Sequence, residues 1–226
     1  MNYQSKTYRL ARNIGRALGI TSLIGRVIAN EDYEQKFDDA LEKAITNDSV
    51  VWDIGANHGI YTDKFFKILG TKGKLLAFEP NHELHKNLSD KYKDISNVEI
   101  LSIAVSNFTG ETDFSKGDDD LAATSTIGDA TDNSYKVAVE DINDLVGRLT
   151  APDVVKVDVE GAEAEILNRV ASNLTSFENI KFFVEVHFGI IENNHDSDSF
   201  FKDLRVLKSN SREFVWIDPS HLYFKL

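Results

Sequence analysis

Apolar and polar positions along this chain switch between a helical and a strand-like period, and the switch points predict its elements. Over residues 32–46, Phe37, Leu41, Ala44 and Ile45 share one helical face, and Asn47-Asp48-Ser49 supplies turn chemistry after them. The run Val50-Val51-Trp52 then reads as a buried strand, closed by Asp53 and by two glycines, Gly55 and Gly59, four residues apart. Helical spacing resumes over residues 62–69 with Phe65, Phe66 and Leu69 inward, and stops at Gly70. Residues 74–78 form a second strand ending at Glu79-Pro80. A helix follows to about Tyr92, and residues 98–105 form a third strand.

Farther on, a short strand at 135–139 precedes a helix at 141–149. Val154, Val155 and Val157 form a fourth strand with Asp158 at its tip, and Gly161 opens the next helix. Residues 180–186 are a strand running into Glu185-Val186-His187. A helix at 197–208 leads to two strands, 213–217 and 221–225, joined as a hairpin by Asp218-Pro219-Ser220. Strands alternating with helices in this way predict an α/β fold with a doubly wound parallel sheet, whose ligand sits outside the carboxyl ends of the strands. Two stretches stand apart. Residues 115–134 are polar, with Asp118-Asp119-Asp120, Asp129 and Asp132, and are long for a connection; they are either a lid or substrate loop, or simply a mobile segment. Three adjacent aspartates do not converge on one ion and read as solvated. Residues 5–29 carry Tyr8, Ala11, Ile14 and Leu18, then Leu23, Ile24 and Val27, at helical spacing, with a break near Gly19-Ile20-Thr21. The expected organisation is therefore a helical extension, 1–30, followed by one α/β domain, 31–226.

Composition changes this picture in a few places. The 226 residues, 42% hydrophobic and 27% charged, suit one globular domain. The chain has no cysteine, which excludes disulfides, thiolate metal sites and a cysteine nucleophile. No apolar run approaches a membrane span and the start has no signal-peptide core, so a cytoplasmic protein is the default expectation. A net charge of −12 argues against a nucleic-acid partner. Residues 1–30 are the exception, with Lys6, Arg9, Arg12, Arg16 and Arg26 and no acid. Such a segment lies on an anionic membrane surface, contacts another chain, or packs on the acidic body.

The candidate chemistry gathers at strand tips. Asp53-Ile54-Gly55-Ala56-Asn57-His58-Gly59 spells D-x-G-x-N-x-G, whereas a dinucleotide fingerprint spells G-x-G-x-x-G and offers free amides to a pyrophosphate. An adenosine without phosphates suits this turn better, S-adenosylmethionine above all; the bland alternative is that the glycines merely pack helix on strand. Glu79 at the second strand tip can accept both ribose hydroxyls, or can serve as a helix N-terminal charge. Ser106 and Asn107 could reach an adenine edge. Asp158 reads as functional, while Glu160 and Glu163 are accounted for by the helix dipole alone. Glu185 and His187, two apart, share one side of a strand.

D-I-G-A-N-H-G-I-Y-T, A-F-E-P-N, V-K-V-D-V-E-G-A-E-A-E-I-L and V-E-V-H resemble, in order and spacing, the FkbM-type S-adenosylmethionine-dependent methyltransferases. The resemblance covers roughly residues 48–190 and is most specific at Lys156 to Glu163. It implies a class I methyltransferase (Rossmann-like) fold, a doubly wound seven-stranded sheet with one late antiparallel strand. It also implies O-methylation of a hydroxyl on a sugar or related small molecule or glycan. By position, Asp53, Gly55, Asn57 and Gly59 match the cofactor turn, which Thr62 closes, Glu79 matches the ribose acid, and Asp158 the acid facing cofactor and substrate. The acceptor's proton needs a base or a metal. His187 has the ordinary pKa for the first route, with Asp158 its rival or orienting partner. Alternatively, Asp158 and Glu185 hold Mg²⁺ beside a vicinal hydroxyl pair. Two rivals are a non-catalytic S-adenosylmethionine-binding module, disfavoured by the retained acids, and a nicotinamide oxidoreductase, disfavoured by the missing G-x-G-x-x-G.

Overall fold

A computed structural model describes residues 31–115, 126–127, 134–194 and 197–226. The basic extension and most of the aspartate-rich stretch, with the readings made of them, lie outside the described residues. The chain divides into two compact units at Ala40/Leu41, within the helix α1 (Glu31–Ala44). The second unit, Leu41–Leu226, contains two sheets.

Its main sheet is built from β1 (Val50–Ile54), β2 (Lys74–Phe78), β3 (Val98–Leu101), β8 (Val154–Val157), β9 (Lys181–Glu185), β10 (Glu213–Trp216) and β11 (His221–Lys225). The spatial order is β10-β11-β9-β8-β1-β2-β3. Pairing is parallel from β9 to β3, and β11 runs antiparallel to both β9 and β10, so one late strand is reversed, as expected. The central strands are buried on both faces, which is why they read as unbroken apolar runs. One face packs Trp52, Leu76, Phe78, Val155, Phe182 and Phe224 against Ile166, Leu167 and Val170 of α5 (Glu163–Ser172) and Leu204 and Leu207 of α7 (Ser197–Asn210). The opposite face packs Ala77 with Leu88 and Tyr92 of α3 (His82–Tyr92) and with Phe66 of α2 (Ile60–Ile68). Helices on both faces make the sheet doubly wound and leave the carboxyl tips of β1, β2 and β8 side by side. Among the described residues no helix is long and apolar enough to cross a membrane.

The expected single strand at 98–105 is two strands in two sheets. After β3 the chain leaves the main sheet, and β4 (Ala104–Ser106) pairs in parallel with β7 (Ser134–Asp141). With β5 (Gly110–Ser115) and β6 (Thr126–Ile127) these form a second, four-stranded sheet in the order β4-β7-β5-β6. The apolar run continues through Ser102-Ile103, so periodicity alone hides the change of partner. Three short helical elements complete the fold: α4 (Ile142–Arg148), a 3₁₀ turn (Leu174–Phe177) and α6 (Phe188–Asn194).

Candidate active site

At the tip of β1 the backbone turns through Gly55 at φ +81°, a left-handed conformation suited to glycine. A Cβ there would lie 1.8 Å from the carbonyl oxygen of Asp158, so glycine is what lets the tips of β1 and β8 close together. Asn57, at φ +50°, donates its backbone N–H to Glu79 Oε2 at 2.6 Å, and Asn81 donates its own to Glu79 Oε1 at 2.7 Å. One carboxylate thus ties the turn after β1 to the start of α3. The helix N-cap itself is Asn81, whose side chain accepts from Glu83 and Leu84. Burial pushes the Glu79 carboxyl up to about 7, against the two backbone N–H bonds and with help from Asp53.

Glu79, Gly55, Asn57, Asp158 and Glu160 line an open cleft of about 540 Å³, mouth included, whose wall is otherwise apolar: Ile54, Phe78, Leu84, Ile103, Val105 and Phe114. Asn57 Oδ1 is buried without a hydrogen-bond partner among the described residues. An apolar slot for a flat base, a carboxylate at a strand tip for a diol, an orphaned amide oxygen and further acids for a cationic end suit adenosine attached to a sulfonium. Among the described residues no lysine or arginine lines the cleft to meet a phosphate.

Other expected cofactor residues stand behind the cleft. Asp53 and Thr62 are fully buried, with Thr62 Oγ1 donating to Asp53 Oδ2 at 2.7 Å. Gly59, at φ +82°, caps α2. Ser106 is buried at the end of β4, one residue beyond Ala104 and Val105, which line the cleft; Asn107 borders a separate depression with Asn168 and Phe200.

Beside the cleft lies a network of charges. Sheet register sets Lys156 opposite Asp53, and the buried ammonium reaches Asp158 Oδ2 at 3.1 Å, the Gly55 carbonyl at 3.3 Å and Asp53 Oδ1 at 3.5 Å. Burial alone would lower the Lys156 pKa, but Asp158 and Asp53 outweigh it and hold the pKa above its usual value. Burial raises the Asp158 pKa against the pull of Lys156, with Glu185 adding to the rise. Just past β9, His187 Nδ1 lies 2.8 Å from Glu163 Oε1, and its Nε2 lies 3.5 Å from Glu160 and 3.9 Å from Glu185. Burial opposes charge on this imidazole, yet the Glu163 bond, with Glu163, Glu160 and Asp158 nearby, raises its pKa to about 9. The surrounding acids thus favour the charged imidazole, whereas a His187 acting as base would have to be neutral. Register also sets His221 of β11 opposite Glu185, 3.6 Å away, while Asp218 holds the other imidazole nitrogen at 2.6 Å. Burial raises the Glu185 pKa, but His221 and His187 reverse this and hold it below the usual carboxylate value.

Asp158, Glu185 and His187 can bring one atom each within 4.8 Å of one another. Lys156 already pairs with Asp158, and both His187 and His221 face Glu185, so we read an ion network there. Sequence reasoning missed Lys156, His221 and Asp218 and gave Glu160 and Glu163 only a dipole role. The signal available was four acids in eight residues flanking one lysine.

The sequence model of the FkbM methyltransferase domain matches residues 53–215. The chain belongs to that family. As an FkbM methyltransferase it takes S-adenosylmethionine as cofactor, and Gly55, Asn57, Glu79 and Asp158 of its motifs line the cleft at the tips of β1, β2 and β8. It is 33% identical over 153 residues to the hexuronic acid methyltransferase AglP of Haloferax volcanii, a match that takes in 66% of this chain and 60% of the relative. Among solved structures, fibrillarin from Aeropyrum pernix is similar at 13% identity and a TM-score of 0.46, over 80% of this chain and 66% of that one. A ribosomal protein L11 methylase from Lactobacillus delbrueckii is similar at 14% identity and 0.45, over 87% and 78%. Neither structural likeness bears on what this FkbM protein methylates.

Proposed function

We propose that this FkbM protein transfers the methyl group of S-adenosylmethionine to a hydroxyl of a sugar or related small molecule or glycan. The observation carrying the reading is that two carboxylates outside the ribose position, Asp158 and Glu160, line the same cleft as Glu79. An alcohol is a weak nucleophile until a positioned base takes its proton, and an acid-lined wall is where such a base belongs. The hexuronic acid methyltransferase relative supports a sugar acceptor.

When bound, S-adenosylmethionine supplies an electrophilic methyl group, and its sulfur keeps the electron pair of the broken C–S bond. Glu79 and Asn57 are suited to hold its ribose and adjoining atoms. Asp158, fixed by Lys156, stands at the β8 tip to orient the acceptor hydroxyl or the cofactor's cationic end. His187, charged and fixed by Glu163, anchors the acids around the acceptor side.

The test is transfer of isotopically labelled methyl to neutral sugars, uronic acids and nucleotide-sugars, followed by alkaline treatment. A methyl ether survives alkali and a methyl ester does not. Label retained after alkali supports the reading; transfer only to alkali-labile positions, or to no sugar at all, overturns it.

A further inference from the structure

Glu160 occupies a position that the fold holds against its own steric preference. It lies between Asp158 at the β8 tip and Gly161, at φ +53°, in the left-handed region that residues with a Cβ rarely adopt. Such strain persists only where surrounding structure enforces it, and it clusters at functional sites. Here the enforcement is visible. Gly161 follows at φ +117°, and its N–H and that of Val159 donate to Glu163 at 3.0 and 3.3 Å. The buried Glu163 carboxylate therefore clamps the backbone on both sides of Glu160. The same carboxylate holds His187 Nδ1 at 2.8 Å, which sets the other nitrogen 3.5 Å from Glu160 Oε2. Turn and imidazole together place the Glu160 carboxylate on the cleft wall beside Asp158.

We propose that Glu160 takes the proton from the acceptor hydroxyl, with Glu163 and His187 as its positioning residues. The proposal rests on hydroxyl methylation as the reaction of this cleft. In the step, the O–H bond breaks and its proton goes to Glu160, while the freed oxygen pair forms the O–CH₃ bond as the methyl's C–S bond breaks and sulfur keeps that pair. The products are the methyl ether, S-adenosylhomocysteine and a neutral Glu160, which returns its proton to water.

Asp158 is the competing acceptor on the same wall, and its surroundings argue against it. Its Oδ2 is the nearest partner of the buried Lys156 ammonium, at 3.1 Å, so protonation would leave that cation with Asp53 at 3.5 Å as its one remaining carboxylate. Among the described residues the cation nearest Glu160 is His187, at 3.5 Å, and the Glu160 side chain is partly exposed. Its protonation leaves His187 still paired with Glu163. The groups facing Glu160 are His187, Asp158, Glu163 and Glu185. Burial raises its pKa to about 7 against the pull of His187, with the three acids adding to the rise, which suits a base working near neutrality.

The experiment compares Glu160→Gln, Glu160→Asp and Asp158→Asn with the wild-type full chain. Glu160→Gln is expected to keep S-adenosylmethionine affinity by calorimetry and the acceptor KM, to lower kcat by roughly 10²–10⁴-fold, and to lose the rise of rate through pH about 7. Glu160→Asp should recover part of the rate and keep that rise. Independently of turnover, carbon-13 NMR of the labelled carboxylates should show one signal, absent in Glu160→Gln, titrating near 7 and not near 4.5. An unchanged Glu160→Gln rate, a signal titrating near 4.5, or loss of the pH-dependent rise only in Asp158→Asn would each overturn the assignment while leaving hydroxyl methylation intact. A wild-type protein that forms no methyl ether would instead overturn the underlying reading, and Glu160's role with it.

Discussion

His187 Nδ1 sits 2.8 Å from Glu163 Oε1, and Glu163 is in turn held by two backbone amides of the turn that carries Glu160. The pair joins the end of β9 to the start of α5, two elements that the sheet brings together from 24 residues apart. Burial opposes charge on the imidazole, but this contact, with Glu160 and Asp158 nearby, raises its pKa, and a raised pKa couples folding to pH.

The His187 pKa is raised from 6.5 to about 9, so its contribution to stability is complete below pH 6.5 and is lost as pH rises through 9. The full shift corresponds to roughly 3 kcal/mol as an upper figure. Glu79 and Glu160, raised from 4.5 to about 7, act in the same direction over a lower window: their contribution is present below 4.5 and lost through 7. Urea unfolding of the cofactor-free protein should show stability falling between pH 7 and 9, and His187→Gln should flatten that limb. A wild-type protein equally stable at both pH values would mean that His187 is not held as described.

Glu79→Ala should do more than weaken cofactor binding. The carboxylate accepts both Asn57 and Asn81 N–H groups, so truncation leaves two amides without partners, at a cost of about 1–3 kcal/mol each where water does not replace them. Calorimetry should show S-adenosylmethionine affinity down by roughly 1.5–3 kcal/mol per charged bond lost, with a lower unfolding midpoint. Glu79→Gln should be milder on both counts. Normal affinity in the Ala variant would leave Glu79 a purely structural role.

Much of this was legible in the chain for a physical reason. Buried parallel strands have no polar face, so β1, β2 and β8 read as unbroken apolar runs, and a doubly wound sheet sends the residues after those runs to one edge. Gly55, Asn57, Glu79 and Asp158 were found that way. β5 was not, because G-E-T-D-F-S has one well-buried side chain, Phe114. The expected single strand at 98–105 hid a change of sheet after Leu101, because the chain does not spell out which partner a strand will take. Lys156 and His221 were silent for a related reason: each gains its partner only through strand register, Lys156 opposite Asp53 and His221 opposite Glu185.

Gly55 and Gly161 both have positive φ, and they should respond differently to alanine. At Gly55 a Cβ meets the backbone carbonyl of Asp158 at 1.8 Å, and neither strand tip can move without opening the sheet. Gly55→Ala should cost more than about 4 kcal/mol, or leave no soluble protein. At Gly161 the clash is with Ile190 Cγ2 at 2.6 Å, a side chain that can turn aside. Gly161→Ala should fold, with the cost of its φ remaining, and should displace Glu160. Soluble yield and urea midpoints check the order; a well-folded Gly55→Ala beside an unfolded Gly161→Ala would contradict the described packing.

The last prediction concerns the charge that a metal would otherwise supply. Asp158, Glu185 and His187 approach closely enough to offer three atoms to one ion. Lys156, however, is buried between Asp158, Asp53 and the Gly55 carbonyl, with its ammonium 4.7 Å from the centre of the Tyr61 ring. A divalent ion bound at Asp158 would sit against that ammonium, which would repel it. Activity should therefore survive EDTA and gain nothing from Mg²⁺. Lys156→Met should instead be the damaging change, because it leaves Asp158 and Asp53 buried without their cation, at a cost of about 3–5 kcal/mol. Asp158→Asn in the Met background should recover part of that loss, since it removes one of the unpaired charges. Abolition of activity by EDTA with restoration by Mg²⁺, or a Lys156→Met protein as stable as wild type, would show that the ion network is not what balances these acids.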